Sequence, residues 1–148
     1  MPNVLARFTD QEDEVSKVPP CRLLPEAFVR KHKGVPVEET GISVACVDGC
    51  STNQDKFSLG ADMVKSMGNN ICALGELKYN AIVSIKYDEN NNLQCIEAGH
   101  HKCHFEIRLP TASDALSDKI INNREIQRTE HITRELSRNS EPVIWKNK

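Results

Sequence analysis

The stretch "EAGHHKCHFEIRLP", residues 97 to 110, sets His100, His101, Cys103 and His104 within five positions of a chain that holds five histidines and six cysteines in all. Imidazole and thiolate are zinc ligands, and imidazole is also the side chain best suited to carry protons near neutral pH. Three chemistries fit the spelling: half of a metal site, a catalytic histidine with neighbours, or one strand of a sheet whose polar face is rich in imidazoles.

Alternation separates them. Read as a strand, "HKCHFEIRL" turns Cys103, Phe105, Ile107 and Leu109 to one face and Lys102, His104, Glu106 and Arg108 to the other. The apolar set is the core side, so Cys103 points away from His104 and the two cannot share one zinc on a flat strand. Only His100 and His101, beside Gly99 in an expected bend, can turn either way. A zinc site takes four ligands at about 2.0 to 2.3 Å, usually with a short-spaced pair. The available pair is Cys46 and Cys50, which gives Cys46, Cys50, His100 and His101 as the ligand set of a zinc alternative. Burial in an apolar strand explains Cys46 without metal, and neither metal nor cofactor is expected.

The open face of the strand is the stronger candidate. Glu106 lies two residues and Arg108 four residues beyond His104, a row in which a carboxylate could hold an imidazolium, as a general acid or base requires. Cross-strand salt bridging on a solvated sheet explains the same residues more plainly. Ser43 in "GISVA" lacks the glycines of a nucleophile elbow, and Cys50 in "DGCST" is an expected exposed thiol. No phosphate-binding loop, dinucleotide fingerprint or H-E-x-x-H helix occurs.

The elements that must hold these residues follow from periodicity. "ISVACV", an apolar β-branched run between Gly41 and a turn-forming segment, predicts a short buried strand. Phe57, Leu59, Met63, Val64 and Met67 recur near helical spacing and stop at Gly68, which predicts a mid-chain helix interrupted in quality by Gly60. "YNAIVSIKY", "LQCIEA" and "HKCHFEIRL" read as an antiparallel meander over 79–87, 93–97 and 102–109, burying Val83, Ile85, Cys103, Phe105 and Ile107. Past Pro110, "TASD" predicts a helix start, and scattered apolar positions up to Leu136 predict one interrupted C-terminal helix or two. The closing "PVIW" adds an edge strand or docks its tryptophan. The expected fold is α+β, a single domain over residues 1–148: an antiparallel sheet with one mid-chain helix and a C-terminal helix or helices. Residues 9–20, polar and ending in Pro-Pro, form an expected exposed acidic loop or arm.

Composition excludes several functions. The 148 residues are 39% hydrophobic and 27% charged, enough for one core without disulfide or metal support. A formal net charge of −2 gives no general field for phosphate backbones, although residues 119–148 carry an excess of three positive charges. No apolar run is long enough for a bilayer, and "MPNVLARFTDQEDEVSK" does not read as an export signal. A cytoplasmic location with six reduced cysteines is therefore expected.

The order of "VLARF", "PEAF", "GISV" and "KCHFEIRLP" resembles a family of small uncharacterised bacterial proteins with an Ala-Phe pair, an Ile-Ser-Val strand and a late histidine opening a strand. Ala27, Phe28, Ser43, Val44 and His104 take those places here, with Phe105 where an alanine is usual. The resemblance implies a compact α+β fold and a spatial grouping of Arg7, Ser43 and His104, and it implies no reaction. Two function classes stand. One is a non-catalytic accessory component that binds a protein partner. The other is a small enzyme acting on nucleotide or RNA phosphates, with His104 as acid or base, Arg7 or Arg108 as anion clamp and Ser43 as hydrogen-bonding residue. Convergence of Arg7, Ser43 and His104 is the geometric feature that distinguishes them.

Overall fold

A computed structural model of the chain describes residues 1–28, 42–86, 89–99, 101–108 and 130–147. Its frame is a six-stranded antiparallel sheet in the order β4-β5-β2-β1-β3-β6. The strands are β1 (Val4–Thr9), β2 (Ile42–Cys46), β3 (Ala73–Lys78), β4 (Gln94–Glu97), β5 (His104–Arg108) and β6 (Ile144–Trp145). The helices are α1 (Asn53–Met63), α2 (Tyr79–Val83) and α3, of which 130–139 are described. This is the α+β domain that periodicity predicts. Among the described residues no helix is long and apolar enough to cross a membrane.

Both faces of the sheet bury side chains, which is why the central strands read as apolar runs rather than as strict alternation. Leu5, Val44, Ala73, Leu77 and Ile107 point to one side, where they meet Leu23, Ala27, Phe28, Ile82, Ile132 and Leu136. Ala6, Phe8, Ala45, Val47 and Leu74 point to the other and pack under Phe57 of α1. Each fully buried Leu, Ile or Phe contributes roughly 1.5 to 3 kcal/mol relative to exposure.

α1 begins at a capping box: the Asp55 amide donates to Thr52 Oγ1 and the Thr52 amide to Asp55 Oδ2. Gly60, a weak helix residue, sits where the helix presses on the sheet. A Cβ there would stand 2.5 Å from the Phe8 ring, so the missing side chain sets the helix–sheet distance. The helix ends at Met63, short of Gly68, and Gly68 instead takes a positive φ of 50° in the following turn. Gly75 plays the matching part on the opposite face, where a Cβ would stand 2.6 Å from Leu23.

One expected strand is a helix. Residues 79–87 alternate apolar positions, but Tyr79, Ile82 and Val83 also fall at helical spacing, and Tyr79–Val83 forms α2 with Ile82 buried against the core. Among the described residues strand pairing resumes as a single bridge between Lys86 and Asn92. Within 9–20 the chain is held to the body at Thr9 and Val15, both buried, with a 3-10 turn at Glu12–Glu14 and a bridge from Val15 to Leu23. Pro25–Phe28 forms a 3-10 segment, and "PVIW" supplies the edge strand β6. The helix start expected at 111–114 lies outside the described residues.

Candidate functional site

The site is built on β2 and β5. Their register pairs Ser43 with Glu106, Val44 with Phe105 and Ala45 with His104. Opposed residues share a face, so Ser43, His104, Glu106 and Arg108 stand together on one side of the sheet. Ser43 and His104 are half-buried there, diagonal neighbours across the ladder, and Ser43 Oγ lies 2.5 Å from His104 Nε2. With Nε2 unprotonated the hydroxyl donates to it; with Nε2 protonated the ring donates to Oγ. The His104 main chain is fixed independently, its amide donating to the His101 carbonyl and its carbonyl accepting from Ala98.

Glu106, two residues beyond His104, has a basic partner on its own strand. Arg108 holds it, through Nε at 2.9 Å and Nη2 at 2.8 Å, both to the Glu106 Oε2. The polar row is a serine–histidine contact beside an arginine–glutamate pair. The Arg108 side chain is 34% exposed, so its positive charge faces solvent on the same side as His104.

Arg7 is on the other side. Ala6 pairs with Ala45 and so shares the face of Ser43 and His104; Arg7, one residue on, points into the opposite layer. There its Nε donates to the Ala27 carbonyl and its Nη1 to the Ser43 carbonyl, each at 2.8 Å. β1 registers with β3 over its whole length but with β2 only at Leu5 and Ala6, and Arg7 bridges the gap where β1 and β2 part. Burial pulls the guanidinium down to about 10, with the charge of Glu14 opposing the fall, so it remains a cation at neutral pH. The expected anion clamp is therefore a strut between two main-chain carbonyls. Arg7 touches the site only through the backbone of Ser43.

The remaining candidates are dispersed. His101 Nδ1 accepts from the Cys103 amide at 3.1 Å, and His100 lies outside the described residues. Cys50 is half-buried in the turn after β2, its thiol pushed up first by burial and then by the charge of Asp55. Burial likewise pushes up Cys46, at the end of β2. Among the described residues no three His, Cys, Asp or Glu side chains form a group able to hold a metal ion, so Cys46, Cys50 and His101 do not assemble the zinc alternative. The six cysteines are free thiols. Of the predicted core set, Ile85 and Ile107 are buried while Val83, Cys103 and Phe105 are half-buried.

A feature that sequence spacing does not announce is a cleft of about 410 Å³ between α1 and β6, lined by Asn53, Gln54, Phe57, Asn69, Trp145 and Lys146 among others. The lone tryptophan in "PVIW" was its one signal. Comparison of the chain with protein-family models, with curated proteins and with solved structures finds no match.

Proposed function

We propose that the protein is a small enzyme acting on phosphate esters of nucleotides or RNA, with His104 as general base and acid and Ser43 as the nucleophile it activates. The observation that carries this reading is the contact between Ser43 Oγ and His104 Nε2. In the tautomer protonated at Nδ1, Nε2 takes the hydroxyl proton as Oγ forms a bond to phosphorus. The ester oxygen leaves with its bonding electrons and receives that proton from the imidazolium; water then reverses the sequence to free Ser43. Arg108, while paired with Glu106 through Nε and Nη2, offers its Nη1 donors on the same face to the phosphoryl oxygens, and Arg7 holds the Ser43 backbone from behind.

The test is turnover of a fluorogenic phosphodiester and of a short RNA by the wild-type chain, His104→Ala and Ser43→Ala. The reading expects turnover that falls roughly 100-fold or more in each variant, with unchanged circular dichroism. Absence of wild-type turnover on both substrates, or variants as active as the wild type, overturns it. A protein-binding role, the second reading, is favoured by a different observation. Ile96 is 38% exposed on β4, at the edge of the sheet among the described residues, where a partner strand could add.

A further inference from the structure

The register that joins Ser43 to His104 has a second consequence one step along. With Ala45 opposite His104, Cys46 falls opposite Cys103, and the Cys46 amide donates to the Cys103 carbonyl at 2.8 Å. Opposed residues of antiparallel strands lie about 4.5 to 5.5 Å apart at Cα with side chains on one face. A disulfide spans about 4.4 to 6.8 Å between the same atoms. Both cysteines are half-buried, so neither is sealed from a small solute. Burial pushes the Cys46 thiol up and the charge of Cys103 adds to this, but Cys103 acts likewise on Cys50 and Cys46 on Cys95, so it is the register and the 2.8 Å bond that single out the pair. The ladder is also loose at this point: the Cys103 amide donates to His101 Nδ1, within its own turn, so that amide does not return a bond to β2.

We propose that Cys46 and Cys103 form a reversible oxidation site that closes to a cross-strand disulfide when the protein meets a peroxide. One thiolate attacks the peroxide oxygen, breaking the O–O bond and becoming a sulfenic acid as the second oxygen leaves as water. The other thiolate then attacks that sulfur, forms the S–S bond and expels hydroxide, which leaves as a second water. Two thiols lose two electrons and two protons, and one hydrogen peroxide becomes two waters. The bond ties β2 to β5 on the sheet face opposite Ser43 and His104. Its existence does not depend on what those two residues do.

The assay exposes folded protein to hydrogen peroxide, removes the peroxide, unfolds the protein in excess N-ethylmaleimide so that every remaining thiol is blocked, and digests without reductant using trypsin and an endoproteinase that cuts before aspartate. Cleavage ahead of Asp48 parts Cys46 from Cys50, and cleavage after Lys102 isolates the Cys103 peptide. The expected product is a Cys46–Cys103 linked peptide that dithiothreitol separates, that persists in Cys50→Ser and that disappears in Cys103→Ser. Linkage of Cys103 to Cys50, linkage of Cys46 to Cys50, or six blocked thiols after peroxide would overturn the proposal.

Discussion

Arg7→Ala tests whether the buried guanidinium is a strut. The Ala27 and Ser43 carbonyls each lose a donor bonded at 2.8 Å. Leaving a buried acceptor unsatisfied costs roughly 1 to 3 kcal/mol, and loss of the packed stem costs about 1 to 2 kcal/mol more. Against this, the substitution relieves an unfavourable burial. Lowering the group from its ordinary value to about 10 corresponds to roughly 3.5 kcal/mol at about 1.4 kcal/mol per unit. With both acceptors counted and each range taken at its middle, the balance is a loss of about 2 kcal/mol for alanine. Arg7→Met keeps most of the stem and should lose about 1 kcal/mol less than alanine does. Urea unfolding at neutral pH reads both as a lower midpoint with unchanged slope. A loss within about 0.5 kcal/mol for Arg7→Ala, as for an exposed side chain, would refute the strut.

Gly60→Ala should gain about 1 kcal/mol of helix propensity yet destabilise the protein overall. Its Cβ would sit 2.5 Å from the Phe8 ring, itself 3% exposed, and overpacking of this kind costs about 1 to 3 kcal/mol. The same unfolding assay checks it, and a stabilised Gly60→Ala contradicts the close approach. The alkaline limb is set in part by Cys95, 7% exposed and pushed up to about 12 by burial and then by the charge of Cys46. Its contribution is fully present below the unfolded value of about 9.0; above that the unfolded chain releases the proton first, so stability falls as pH rises. The fall is roughly 2 kcal/mol between pH 9 and about 10.5, and Cys95→Ala should flatten it; equal slopes in both proteins count against the assignment.

Where the sequence carried one period over enough residues, the fold was legible. The run from His104 to Arg108 placed Ile107 in the core and His104, Glu106 and Arg108 on one face, as the structure has them. Five residues of "YNAIV" were too short for that logic, because apolar Tyr79, Ile82 and Val83 satisfy a helix as readily as alternation satisfies a strand. Residue spacing nominates Ser43 and His104 but does not join them, since the contact depends on the register between strands separated by 61 positions; their grouping came only from the family resemblance. The same dependence hid Cys46 opposite Cys103. Arg7, grouped with the site by the resemblance, lies on the opposite face because the parting of β1 from β2 leaves a carbonyl there that a long, many-donor side chain satisfies. The fit of Gly60 against Phe8 is likewise tertiary, and local propensity counted that glycine only as a defect.

The activation of Ser43 by His104 is tested most directly by reaction with a fluorophosphonate probe, whose phosphorus bonds covalently to activated serine hydroxyls. The probe is incubated with folded wild-type protein and His104→Ala, and the adduct is located by peptide mass spectrometry. The account predicts a single adduct at Ser43 in the wild-type chain, lost in His104→Ala, because the Ser43 Oγ to His104 Nε2 contact is what raises the nucleophilicity of the hydroxyl. An unlabelled wild-type protein, or a Ser43 adduct that forms equally without the imidazole, would contradict it.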